Sequence, residues 1–192
     1  AHDVRPGFRQ IDQGLSFLPR GAKSFRQLRQ EATASGSANR SLLSDKVRSL
    51  LLDKRGRLWV GSSNGLQRLA SDGKQFETLV EGKNIQSLLQ AQDGKLWIGT
   101  ADHGAAWLMP DTAEIHWLPL AQLSHPWIKS MVQVSPQHIW LGTGLGIQIV
   151  AASDGQPLQQ LRHDAARPDS LAQDSVKTML RDRAGWLWLG TW

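Results

Sequence analysis

Four positions carry the most pointed chemistry in the chain: Arg48, Gln86, Lys129 and Lys177. Each is second in an apolar run, as in Val47-Arg48-Ser49-Leu50-Leu51-Leu52, Ile85-Gln86-Ser87-Leu88-Leu89, Ile128-Lys129-Ser130-Met131-Val132 and Val176-Lys177-Thr178-Met179-Leu180. Cations that converge on one mouth focus an attractive potential for an anion. If the four runs are equivalent inner strands around one axis, these residues rim a channel and form a candidate ligand site. The competing reading is a solvated rim. A small anionic or carbohydrate ligand fits the first reading.

Other reactive groups form no comparable set. The six His, at positions 2, 103, 116, 125, 138 and 163, share no column of any repeat. Asp102-His103 and the Glu114/His116 pair lack the further partners a metal site needs. With no Cys, thiolate metal sites and disulfides are excluded. Asp169 and Asp174 fall in a connector and read as turn formers. No catalytic residue, metal or cofactor is expected. Trp107, Trp117 and Trp127 are candidates to stack on a sugar, bind a partner or pack against a loop. Trp107 occupies the position of Arg68 in an earlier repeat, which predicts a surface-facing ring.

The elements that must position these residues are repeats. Leu58-Trp59-Val60-Gly61-Ser62, Leu96-Trp97-Ile98-Gly99-Thr100, Ile139-Trp140-Leu141-Gly142-Thr143 and Leu187-Trp188-Leu189-Gly190-Thr191 are versions of one segment, with their Trp residues 38, 43 and 48 positions apart. A period of that size marks a propeller or solenoid. Each segment returns from the apolar run before it through a turn such as Asp53-Lys54-Arg55-Gly56 or Gln92-Asp93-Gly94. A Gly-led strand follows, Gly65-Leu66-Gln67-Arg68-Leu69, and then Phe76-Glu77-Thr78-Leu79-Val80. Four short antiparallel strands make one blade. The fold class is therefore all-β: a β-propeller, as a fragment or small ring. Trp59, Trp97, Trp140 and Trp188 are read as filling the space between neighbouring blades. Gly61, Gly99, Gly142 and Gly190 permit close backbone approach or a bulge.

Residues 1–192 make a single domain or fragment: whole blades at about 47–82, 85–120 and 127–162, a half-blade at 8–34 and another at 176–192. Gly14-Leu15-Ser16-Phe17-Leu18 and Phe25-Arg26-Gln27-Leu28 match third and fourth strands, whereas the chain's last residues supply first and second strands. Residues 31–46 are a polar connector, and Arg167 to Ser175 resembles its end. Three closures follow: a four-bladed ring, two chains exchanging halves into an eight-bladed ring as a homodimer, or a piece of a longer propeller. The absence of a stop signal after Gly190-Thr191-Trp192 favours the last.

The net charge of +5 favours anionic surroundings, but no basic block, zinc spacing or stacking platform supports nucleic acid. No run of 18 apolar residues is long enough to span a membrane, and Ala1-His2-Asp3-Val4-Arg5-Pro6 is not a leader pattern.

The frame Asp169-Ser170-Leu171-Ala172-Gln173-Asp174-Ser175-Val176, continued by Arg181-Asp182-Arg183-Ala184-Gly185-Trp186-Leu187-Trp188-Leu189-Gly190-Thr191, resembles the two-component regulator propeller repeat. It recurs from Ser41 to Leu69 and from Ile85 to Leu108, and more weakly over 128–150, where Ser135-Pro136-Gln137 replaces the Asp-x-x-Gly turn. The resemblance implies a periplasmic or extracellular sensor region of an inner-membrane bacterial signalling protein. The output of such a parent is a histidine kinase or a diguanylate cyclase, and the membrane is reached only through its other parts. The alternatives are a protein–protein docking platform and an enzyme resembling the streptogramin lyases. A lyase should show non-repeating acid, base or metal residues on one face, and no such set is visible.

Overall fold

Runs of branched and aromatic residues, each closed by a short turn, have one low-energy outcome here, the antiparallel hairpin. The computed structural model describes residues 14–30, 41–71, 73 and 75–192. The connector over 31–40, the outer ends of the 8–34 half-blade, and Asp72 and Lys74 of one hairpin turn lie outside the described residues.

The described chain opens with β1 (Leu15–Phe17) and β2 (Arg26–Leu28), a two-stranded sheet. The first whole blade is β3 (Val47–Leu52), β4 (Leu58–Ser62), β5 (Gly65–Leu69) and β6 (Phe76–Glu81). The second is β7 (Ile85–Gln90), β8 (Leu96–Thr100), β9 (Ala105–Leu108) and β10 (Ile115–Trp117). A short 3-10 turn, Leu120–Gln122, precedes the third: β11 (Ser130–Ser135), β12 (His138–Thr143), β13 (Gly146–Ala151) and β14 (Pro157–Leu161). The last two strands, β15 (Val176–Arg181) and β16 (Leu187–Thr191), form their own sheet. Each whole blade pairs its strands in chain order, so every strand meets its sequence neighbour in an antiparallel ladder.

First strands of successive blades pack on one another, β3 on β7, β7 on β11 and β11 on β15, which makes them the inner strands of an arc. The core is a series of slabs between blades. Trp59, Leu66 and Val80 of the first blade bury against Ile85, Leu96, Ile98 and Leu108 of the second. Trp97 and Ala105 of the second meet Ile128, Met131, Ile139 and Leu141 of the third. Val132, Ile147 and Ile149 then meet Val176 and Met179. At the start, Leu15 and Leu42 pack on Val60 and Phe76.

The Trp column follows this order and shows where the interblade expectation fails. Trp59 and Trp97 are 0% exposed and Trp140 is half-buried, but Trp188 is 61% exposed. The reason is positional: each indole is covered by the blade that follows its own, and none follows β15–β16 among the described residues. The four-bladed closure does not form either, because β1–β2 and β15–β16 remain separate sheets.

Polar staples run along the outer end of the blades. Lys54 N donates to Gln90 Oε1 at 2.7 Å, and Gln92 N donates to Gln133 Oε1 at 2.7 Å, so the turn of one blade is tied to the inner strand of the next. Arg68 Nη1 donates to Pro110 O at 2.6 Å and Arg57 pairs with Asp111 at 2.9 Å, adding a second tie between the first two blades.

Candidate functional site

Three residues of the predicted column, Arg48, Gln86 and Lys177, share one backbone device. Val47 pairs with Ser62 and Ser49 with Gly61, which leaves Arg48 unpaired between them. Ile85 pairs with Thr100 and Ser87 with Gly99, skipping Gln86; Val176 pairs with Thr191 and Thr178 with Gly190, skipping Lys177. Lys129 stands just ahead of β11, with its amide donating to Gly142 O at 2.8 Å. An extra residue in an inner strand is a β-bulge, which re-aims the side chain it carries. The opposing Gly is what permits it. A Cβ on Gly61, Gly99 or Gly142 would run into the hydroxyl of Ser49, Ser87 or Ser130 and meet Ile85, Ile128 or Val176 of the next blade. The bulge and the column of Gly are thus two halves of one arrangement, repeated blade by blade.

Of the four side chains, the structure brings two together. Lys129 is half-buried, and burial lowers its pKa, with a further push from the charge of Lys177. The two ammonium groups are therefore near enough for each to disfavour the other's charge. Lys129 Nζ donates to Ser175 Oγ at 2.8 Å and stands 4.6 Å from the ring centre of Trp127. Lys177 Nζ lies over the ring of Trp192. Trp127 and Trp192 are exposed, and each lysine covers one face of its indole. Arg48 is exposed on its own bulge, and Gln86 turns its amide to Asn84 Oδ1 at 2.8 Å. The column thus differs along the arc, with neighbouring cations at its late end and separate polar side chains at its early end. Trp192 was not visible as a partner in the sequence because it sits outside every repeated segment; its backbone N–H donates to Ser175 O at 3.2 Å, beside Lys177.

Trp107 matches Arg68 in position and, like it, reaches across to a carbonyl of the next blade. It is half-buried, stacked on His116 at 4.0 Å, and its Nε1 donates to Asp154 O in the third blade. His103 bonds Asp102 at 2.7 Å. Among the described residues no cluster of three or more His, Asp or Glu could hold a metal. The spacing Gly61-Ser62-Ser63-Asn64-Gly65 is that of a nucleophile elbow, which reading of the sequence passed over. Here it is the β4–β5 hairpin, and Ser63 Oγ meets Ser44 Oγ at 2.8 Å with no strand-to-helix turn.

A second polar centre is structural. Asp53, buried in the turn before β4, loses solvation, yet bonds from Trp59 Nε1 (3.0 Å), the Arg57 amide (2.9 Å), Arg57 Nε (2.6 Å) and the Arg55 amide (2.9 Å) hold its pKa at about 2. Asp182 repeats the latch at β16, with Trp188 Nε1 donating at 2.8 Å, and its pKa is lowered chiefly by that bond. The second blade has Ala91 in this place, and Trp97 Nε1 is left as a buried donor with no partner.

Inner strands, bulges, interblade indoles and four-stranded sheets define an arc of a β-propeller. The sequence profile of the family described as two component regulator propeller matches residues 41–64, 80–102 and 170–192. Three segments of the chain thus match two component regulator propeller repeats, and the profile passes over 128–150, where the Asp-x-x-Gly turn is missing. No curated protein matches the chain. A solved structure described as the extracellular domain of a hybrid two component system from B. thetaiotaomicron superposes with a TM-score of 0.79 at 23% identity, over 93% of this chain and 24% of that one. A second structure of that extracellular domain, described there as part of a one component system, gives 0.77 with the same identity and coverage. Virginiamycin B lyase from Staphylococcus aureus gives 0.58 at 14% identity, over 76% of this chain and 49% of that one. The chain thus spans about a quarter of the length of the first two structures. Among the described residues no helix is long and apolar enough to cross a membrane.

Proposed function

We propose that this chain is the ligand-sensing propeller region of a membrane-bound bacterial signalling protein, lying outside the cytoplasm. In this reading it has no catalytic role of its own, and a histidine kinase or diguanylate cyclase elsewhere in the parent carries the output. The observation that supports it is the Lys129–Lys177 pair, two neighbouring cations each lying over an exposed indole. Cations so placed attract a carboxylate, sulfate or phosphate, and an open indole face suits the apolar face of a sugar ring. A small acidic saccharide satisfies both. The repeat profile and the fold of the extracellular domains it resembles support the sensor assignment.

Calorimetric titration with an acidic disaccharide, its neutral counterpart and inorganic phosphate tests the reading. The acidic sugar should bind, the neutral sugar should bind more weakly, and Lys129→Gln with Lys177→Gln should lower the affinity at least tenfold. Equal affinity of the double variant and the parent chain would remove the site.

A further inference from the structure

We propose that the cleft between the first and second blades binds a tetrahedral oxyanion, a phosphate or sulfate group, which takes two arginines from Asp111. The cleft lies at the turn end of the inner strands, away from the bulges that carry Arg48, Gln86 and Lys177. Its volume is about 230 Å³, below the roughly 300–1,000 Å³ of pockets that enclose drug-sized ligands, so it suits a single small group. One wall is the turn between β3 and β4, which brings Lys54, Arg55 and Arg57 together. The other wall belongs to the second blade and carries two carboxylates, Asp93 and Asp111. Asp93 is paired with Lys95 at 2.6 Å. Lys54 Nζ has only backbone partners, Ala91 O at 3.4 Å and Gln92 O at 3.2 Å. Arg57 Nε is held by the buried Asp53 at 2.6 Å, which leaves the rest of its guanidinium to share Asp111 with Arg55.

That sharing uses the two guanidinium groups poorly. Arg55 Nη1 at 2.7 Å and Arg57 Nη1 at 2.9 Å donate to the same oxygen, Asp111 Oδ1. Among the described residues nothing donates to Asp111 Oδ2, and Nη2 of neither arginine has an acceptor. A guanidinium binds an oxyanion best through two parallel N–H groups on two oxygens, and neither arginine has that here. A phosphate or sulfate group offers oxygens to both forks and carries more charge than one carboxylate for the three cations to offset. Asp111 is the weaker competitor. Its pair with Arg55 is open to solvent on both sides, 66% and 51% exposed, and pairs so exposed contribute little. The turn stays in place when the Asp111 carboxylate yields, because Pro110 O is held separately by Arg68 Nη1 at 2.6 Å and Arg57 Nη1 at 3.3 Å.

Calorimetric titration with inorganic phosphate, inorganic sulfate, a sugar phosphate and a sugar sulfate tests the site. The whole chain is used with Lys129→Gln and Lys177→Gln in place, so that the other cation pair takes no part. At least one of the four anions should bind, and whether the free ion or its sugar ester binds more tightly names the source of the group. Arg55→Gln, which gives up a single side-chain bond in the folded chain, should lower the affinity roughly tenfold or more and leave the urea midpoint unchanged. Asp111→Asn removes the competing carboxylate and should raise the affinity severalfold. No binding of any of the four at millimolar concentration would overturn the proposal. So would unchanged affinity in Arg55→Gln, or equal or weaker binding by Asp111→Asn.

Discussion

Replacing Asp53 by Asn tests whether the carboxylate under Trp59 holds the first blade to the second. Its pKa falls from 3.8 to about 2. Each pKa unit corresponds to about 1.4 kcal/mol, so ionisation of this one group contributes about 2 kcal/mol at neutral pH. The folded value lies below the unfolded one. The contribution is therefore complete above the ordinary carboxyl pKa and is lost as pH falls toward about 2. Near pH 3 roughly half remains. Urea unfolding of the parent chain and of Asp53→Asn, followed by far-ultraviolet circular dichroism, reads the difference through the midpoints. The parent should exceed the variant by about 2 kcal/mol at pH 7 and by about 1 kcal/mol near pH 3. A gap of the same size at both pH values would refute the electrostatic origin, and no gap at pH 7 would refute the latch itself. Asp182→Asn, on the open face, should move the midpoint less.

Two further contrasts use the same internal comparison between covered and open blades. Trp97→Ala should cost about 3–5 kcal/mol in urea unfolding of the chain, since the indole is fully buried between blades, whereas Trp188→Ala should cost far less. Gly99→Ala sets a methyl against the Ser87 hydroxyl and 2.9 Å from Ile128 Cγ2 of the next blade, so a loss of about 1–3 kcal/mol is expected. Gly190→Ala meets Thr178 alone at close range, with no following blade behind it, and its thermal midpoint should fall by a smaller amount.

Much of this architecture was written in local pattern. The Leu-Trp-x-Gly segments placed β4, β8, β12 and β16, and the Asp-x-x-Gly turns placed the strands before them. These signals are legible because hairpins are made of contacts between near neighbours in sequence. The relation between blades was harder. That Trp59 is sealed and Trp188 open depends on what lies beside each blade, and the four segments look alike as sequence. Arg68 and Trp107 were aligned correctly, but that both bond a carbonyl of the next blade, Pro110 O and Asp154 O, is a relation between blades that the alignment does not show. At the candidate site the column was visible because it recurs, but its convergence was not. Lys129 feels the charge of Lys177, while Arg48 and Gln86 are occupied elsewhere or exposed. Trp127 and Trp192 belong to no repeated segment, so periodicity could not single them out. The Gln90 and Gln133 staples could have been read as polar residues recurring at the end of an inner strand.

The bulge that carries Arg48, Gln86 and Lys177 has an evolutionary consequence. Its residue forms no pair in the ladder, and the tight packing opposite is borne by Gly and by the next blade. Arg, Gln or Lys can therefore stand there without disturbing the sheet. Selectivity can drift one blade at a time while the scaffold stays fixed, so a lineage of such rings could explore many recognition chemistries through a handful of independent substitutions.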